Sequence, residues 1–239
     1  MVTGLAVVVA LVFIVFLVVK PGSSSSGGSG ALPLGLVRPL SLIPASIPHD
    51  GRTVGSPTAT LTLDEWEDYQ CTACGRFSET VEPSLVGRFL ATGAVKMTYH
   101  DFFVIGPESI DAATAARCAG DQGKFWDYHG WLFANQNGEN QGWFSRERLA
   151  AIAGQLGLDE TKWNACYDSG PARQAATAEA DQGKQLGLNS TPTLMIDGKM
   201  LKFTTVDDLF AQIQAAVDAA GGSSAAPSTT AVPSASSAP

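Results

Sequence analysis

Cys71 and Cys74 stand three positions apart, in the run Cys71-Thr72-Ala73-Cys74. Before them, Ala59, Leu61 and Leu63 alternate with Thr60 and Thr62, which reads as a strand. After them, Phe77, Val81, Leu85, Phe89 and Leu90 recur at helical spacing. The pair therefore falls at a strand-to-helix junction, with Cys71 at the helix N-terminus. There the free backbone N–H groups and the positive end of the helix dipole favour a thiolate at Cys71. Cys74 lies about one turn inward, where it can attack a mixed disulfide formed by Cys71. This is the spacing of thiol–disulfide exchange, with Cys71 as nucleophile and Cys74 as resolving thiol. Zinc sites use the same spacing, but no second CxxC and no HxxxH follows, so no metal is expected.

The elements that must position this pair can be read in outline. Thr58 to Asp68 forms the first strand, and the helix after the cysteines is expected to kink at Pro83 and stop at Thr92-Gly93. Ala94 to Tyr99 is a second strand. Helical patterns then cover Ser109 to Cys118, Lys124 to Ala134, Ser145 to Leu156, Asp159 to Asp168 and Pro171 to Leu186, with Ser145 and Asp159 as capped starts. Thr193 to Ile196 is a short strand, and Asp197-Gly198 a tight hairpin that returns the chain through Met200 to Phe203. Val206 to Ala219 is an amphipathic closing helix. The order is strand, helix, strand, helical block, hairpin, helix: an α/β unit interrupted by helices.

The ends have a different composition. Met1 to Val19 carries no charged side chain and would form a helix about 28 Å long at ~1.5 Å per residue, close to the ~30 Å of a bilayer core. No small-x-small cleavage site follows it, so residues 1–20 are read as an uncleaved membrane anchor. Residues 21–52 are Ser-, Gly- and Pro-rich and read as a tether and stalk. Residues 221–239 read as a disordered tail. What remains, residues 53–220, fits one domain with the helical block at about 107–187. Three of the 15 basic residues (Lys20, Arg38, Arg52) and one of the 23 acidic residues (Asp50) fall in the terminal segments, so the net charge of −8 becomes −10 over the folded part. That acidity, with no basic run, argues against a nucleic-acid-binding role.

In three blocks, in order, the chain resembles the DsbA-like family of thioredoxin-fold disulfide oxidoreductases. They are Glu65-Trp66-Glu67-Asp68-Tyr69-Gln70-Cys71-Thr72-Ala73-Cys74-Gly75-Arg76-Phe77, then Ala115-Ala116-Arg117-Cys118-Ala119 with Gln122 to His129, then Ser190-Thr191-Pro192-Thr193-Leu194 ahead of Asp197-Gly198. The resemblance spans Thr58 to Ala219. It implies a thioredoxin fold with an inserted all-helical domain, here preceded by one transmembrane helix. It implies that Pro192 is a cis-proline beside the CxxC, with Thr191 offering its backbone to an extended substrate together with Thr72 and Ala73. Glu65 matches the buried acid beneath the active site, against the plainer reading of a strand-end carboxylate in water. Glu67 and Asp68 are expected at the surface. The family usually has Pro and an aromatic or His between the cysteines. Thr72-Ala73 departs from this, which implies a less oxidising couple and a Cys71 pKa above the most acidic in the family.

Cys118 and Cys166 are solitary. They could form a second redox pair or a metal site, or a disulfide stapling the helical block as in some family members; the staple is the expectation. His100 and His129 have no motif partners and are read as packing or surface groups. The resemblance implies a membrane-anchored, extracytoplasmic enzyme without a cofactor. It would oxidise reduced secreted polypeptides and be recharged by a quinone-linked membrane partner. Two alternatives stay open: a reductase running the same chemistry in reverse, and a tethered binding module whose CxxC is only structural.

Overall fold

A computed structural model describes residues 32–39 and 43–221. The expected membrane anchor at 1–20, the start of the tether and the tail at 222–239 lie outside the described residues. Among those described, no helix is long and apolar enough to cross a membrane.

Two short strands, β1 (His49–Asp50) and β2 (Thr53–Val54), precede the long strand β3 (Leu61–Glu67). Helix α1 (Thr72–Thr80) follows Cys71, and the chain breaks at Val81 before α2 (Glu82–Leu85) and a π-helical turn at Val86–Leu90. Thus the kink expected at Pro83 sits two residues earlier, with Pro83 in the first turn of α2, where its missing N–H costs nothing. Strand β4 (Val95–Asp101) lies parallel to β3, joined to it by the α1–α2 crossover. Five helices come next: α3 (Pro107–Gly120), α4 (Phe125–Ala134), α5 (Arg146–Gln155), α6 (Glu160–Ser169) and α7 (Pro171–Gln185). The chain returns through β5 (Thr193–Ile196) and β6 (Lys199–Met200) and closes with α8 (Val206–Ala219). The sheet order is β1-β2-β4-β3-β5-β6, and every pair except β3–β4 is antiparallel. Among the described residues this is a mixed α/β thioredoxin-like fold with eight α-helices.

Alternation along β3 and β4 decides what faces what. Leu61, Leu63, Glu65 and Glu67 share one face, and Asp64 and Trp66 the other. Leu63, Val95, Met97 and Tyr99 are buried with Leu85, Phe89, Leu209 and Ile213 in the main core. A fully buried Leu or Phe there stabilises by roughly 1.5–3 kcal/mol. Helix α7 lies over the opposite face. A Cβ on Gly183 would meet Phe102 and Trp66, so only glycine allows this close an approach. Asp159 caps α6 by accepting from the Lys162 N–H, whereas Ser145 makes no side-chain cap bond at α5.

Part of the segment read as stalk lies on this body. Leu36 and Ile47 are buried in the core cluster, and β1 pairs with β2. The Asn135 side chain holds both backbone groups of Val37: the Val37 N–H donates to Oδ1 at 2.8 Å, and Nδ2 donates to the Val37 carbonyl at 2.9 Å.

Candidate active site

Cys71 occupies the N-cap position of α1 with extended backbone angles, and the first helical bond runs from the Gly75 N–H to its carbonyl at 3.0 Å. Its thiol is half-buried. Cys74 is buried in the first turn behind it, and neither cysteine is in a disulfide. A hydrogen bond from the Cys74 thiol is the strongest influence on Cys71. Burial acts against it, but the Thr191 hydroxyl and the backbone N–H groups of Cys74 and Ala73 add to it. The Cys71 pKa falls to about 5. Cys74 moves the other way. Burial pushes its thiol far up, and the contact with Cys71 and the charge of Glu67 act in the same direction. So one thiol ionises at neutral pH and the other keeps its proton.

The Thr191–Pro192 bond is cis, and it places the Thr191 carbonyl 3.6 Å from Cys71 Sγ, where it accepts the S–H. Thr72 is exposed in the first turn and Ala73 half-buried beside it. The structure thus brings together Cys71, Cys74, Thr72, Ala73, Thr191 and Pro192.

Beneath them the strand supplies carboxyl groups. Glu65 is buried at 1 % exposure, not at a solvated strand end. Glu67 and Asp68 are corrected relative to the sequence reading: both are buried, also at 1 %. Glu67 follows Glu65 on the inward face, two residues on. Asp68 turns back to accept N–H bonds from Gln70 (2.8 Å), Val104 (2.9 Å) and Ile105 (3.0 Å), so it knots the loop before Cys71. Among the described residues neither carboxyl of Glu65 or Glu67 has a hydrogen-bond partner. Burial raises both pKa values well above the usual carboxylate range, with the Glu82 charge adding at Glu65, and those of Glu65, Glu82 and Cys71 at Glu67. Glu67, rather than Glu65, is the carboxyl whose charge bears on both thiols. Glu82 accepts from Ser78 at 2.6 Å and lies 3.6 Å from His129 Nε2. His129 is buried among Tyr69, Tyr99, Trp126 and Phe133, which matches a packing group.

Gln136, which follows α4, also escaped the sequence reading. Its Nε2 donates to the carbonyls of Tyr69 (2.5 Å) and Cys71 (3.1 Å), while its side chain lies where a Cβ on Gly75 would stand. Gln70 adds a second tie, donating to Ser109 (2.9 Å) and accepting from the Asn140 N–H (2.6 Å). Nothing in local sequence pattern pairs residue 71 with residue 136. Only the inward alternation of Glu65 and Glu67 with Leu61 and Leu63 was there to be used.

Cys118 on α3 and Cys166 on α6 are joined by a disulfide, with Cα atoms 5.7 Å apart. Farther along the sheet, His100 is not bland. It bridges Asp64 (2.9 Å) and Glu179 (2.9 Å) and stacks on Trp66. Arg117 joins Asp101 and Glu179, each at 2.6 Å, and Arg52 also pairs with Glu179. Among the described residues no group of three or more His, Cys, Asp or Glu is arranged to hold a metal ion.

A thiolate at a helix N-terminus, backed by a protonated thiol on a thioredoxin-like sheet, defines a protein-disulfide oxidoreductase. Comparison with known proteins agrees. A family model described as Thioredoxin matches residues 48–215. Disulfide bond formation protein D of Bacillus subtilis (strain 168) is 26% identical over 162 residues, which cover 65% of this chain and 72% of that protein. The crystal structure of oxidised BdbD from Bacillus subtilis superposes with a TM-score of 0.64 at 24% identity, covering 70% of this chain and 93% of the other. That of Chlamydia trachomatis DsbA gives 0.63 at 22% identity, covering 70% and 92%. These two likenesses show the fold. The chain belongs to the thioredoxin family that this family model describes.

Proposed function

We propose that this protein oxidises cysteine pairs in reduced secreted polypeptides outside the cytoplasm, tethered to the cell membrane by a single span at residues 1–20. The observation that carries the oxidising direction is the Cys71 thiolate, with its pKa of about 5. A stabilised thiolate stabilises the reduced enzyme, so the disulfide form gains by accepting electrons. The Cys118–Cys166 disulfide supports an oxidising compartment, because such bonds persist mainly outside the cytosol.

A substrate thiolate attacks Cys71 Sγ of the Cys71–Cys74 disulfide, the bond to Cys74 breaks, and Cys74 leaves and takes up a proton. The second substrate thiolate then attacks the substrate sulfur of the mixed disulfide. The substrate leaves oxidised and Cys71 leaves as thiolate. Two electrons pass to the enzyme. Of the two substrate protons, one is balanced by the proton on Cys74 and the other goes to solvent. Glu67, with Glu65 beside it on β3, exchanges the proton with Cys74 in its dry pocket. The Thr191 backbone and the first turn at Thr72 and Ala73 receive the substrate chain. Helices α3–α7 act as the inserted domain that covers this site. A quinone-linked membrane partner reoxidises the pair.

A Cys74→Ser variant tests the reading. Charged beforehand as a Cys71–glutathione mixed disulfide by oxidised glutathione, it should accumulate mixed disulfides through Cys71 with reduced secreted proteins, glutathione leaving as the thiol. If no mixed disulfide forms, the CxxC is structural and the chain a binding module. If they form but the wild-type enzyme only reduces the captured proteins, the direction is reversed.

A further inference from the structure

Helix α1 presents a second face beside the redox centre. Thr72, Gly75, Arg76 and Glu79 recur at positions i, i+3, i+4 and i+7, so they form one stripe that begins next to Cys71. The stripe lines a cavity of about 520 Å³. Across it stand Gly130, Phe133 and Ala134 of α4 with Gln136, and Val37, Arg38 and Pro39 form the remaining wall. The volume falls within the ~300–1,000 Å³ of ordinary ligand pockets, and small residues on both helices make the room.

Two features identify the occupant. The first is charge. Arg52, Arg117, Arg146 and Arg173 each sit on a carboxylate. Arg38, Arg76, Arg88 and Arg148 have no carboxylate partner among the described residues; of these, Arg38 and Arg76, both exposed, line this cavity, and Arg38 lies over the Trp131 ring at 5.9 Å. In a chain of net charge −8, two uncommitted guanidinium groups meet at this cavity against one carboxylate, that of Glu79. The second is the wall itself. Asn135 grips both backbone groups of Val37, and Pro39 rests 3.6 Å from the position a Cβ on Gly130 would take. An extended stretch of polypeptide is thus already seated on this surface of α4.

We propose that this cavity is a docking site for an extended, acidic polypeptide segment flanking the partner cysteine. Arg38 and Arg76 pair with its carboxylates while that cysteine meets Cys71. The proposal rests on the redox reading of Cys71 for its purpose, but not for its binding chemistry. Guanidinium groups suit such carboxylates because their donors form a fixed fork.

The test separates binding from exchange. Two fluorescent peptides of equal length, with the cysteines replaced by serine, carry either Asp/Glu or Lys/Arg flanks; their dissociation constants are measured on the full chain and on Arg38→Glu/Arg76→Glu. The dithiol forms of the same peptides are measured in parallel for oxidation. The wild type should bind the acidic peptide about tenfold more tightly at low ionic strength, with the preference shrinking at high salt. The double variant should prefer the basic peptide. Equal affinities in the wild type, or a preference that the double variant leaves unchanged, would overturn the docking site whatever the exchange assay shows. Peptide binding that follows the prediction without any oxidation of the dithiols would uphold the site and remove the redox function.

Discussion

The chain holds two pairs of cysteines, and their surroundings make them opposites. Cys118 and Cys166 come from α3 and α6, 48 residues apart, and are bonded. Cys118 is enclosed by Ala115, Ala119 and other core residues, away from any helix N-terminus. Cys71 and Cys74 share one helical turn, and the exposed end of that turn directs N–H groups at the first sulfur. The first pair closes a long loop and holds helices together. The second divides its acidity, one thiol ionised near pH 5 and the other protonated, which is the condition for exchange.

The buried carboxylates repeat this division. Around Glu179, every acid has a cation: Arg52, Arg117 and His100 converge on it. Burial pushes Glu179 up, but the His100 and Arg52 hydrogen bonds outweigh that and bring it down to about 2. Beneath Cys74, Glu65 and Glu67 have no cation and no hydrogen-bond partner among the described residues, and burial drives them up. Paired acids hold β4 to α3 and α7. Unpaired acids keep protons next to the thiol that must gain and lose one.

The contrast can be broken in four ways. The largest effect is expected for Cys71→Ser: peptide-dithiol oxidation should fall at least ~10³-fold, while below pH 5, where the Cys71 thiolate no longer contributes, unfolding free energy stays within about 0.5 kcal/mol of the reduced wild type. Next, Cys118→Ala/Cys166→Ala should lose about 4 kcal/mol in denaturant unfolding on the chain-entropy account of loop closure. Its Cys71 titration should stay at about 5. A shift of one pH unit there would mean that the two pairs are coupled.

Third is the pH dependence of stability. The Cys71 pKa is lowered from 9.0 to about 5 on folding. A lowered pKa contributes stability that is complete above the unfolded value and lost as pH falls through the folded one. The reduced protein should therefore lose its stability advantage over the oxidised protein progressively between about pH 9 and pH 5, seen as converging melting temperatures. The smallest effect is Glu67→Gln. Replacing a protonated carboxyl by an amide of the same shape should alter stability by less than about 1 kcal/mol. Exchange should slow about tenfold, less than the ~10²-fold or more typical of a lost general acid or base. Glu65→Gln should slow it less, because of the two glutamates it is Glu67 whose charge raises Cys74. A Glu67→Gln variant with unaltered exchange rate would place the proton path elsewhere.

Much of this arrangement was legible in advance. The strand-to-helix placement of Cys71, the helical pattern from Ser109 to Leu186 and the closing helix at Val206 to Ala219 all follow from hydrophobic period and turn residues, which act locally. Glu67 and Asp68 were misread because charged residues belong at the surface by default. At Glu67 the two-residue period of the strand overrides that default, and at Asp68 three N–H donors do. Contacts between distant segments left no local trace. Gln136 reaches Cys71 across 65 positions, and Arg52 reaches Glu179 across 127. The seating of Val37 on Asn135 depends on a surface that exists only once α4 has folded.

The central claim is that Cys71 and Cys74 form an oxidising couple, and the reduction potential of that couple tests it most directly. Equilibration of the full chain with a glutathione redox buffer at pH 7 should give a value between about −200 and −120 mV, the range bounded by glutaredoxins and DsbA. A value at or below about −270 mV, that of thioredoxin, would contradict an oxidising role and assign the site to reduction.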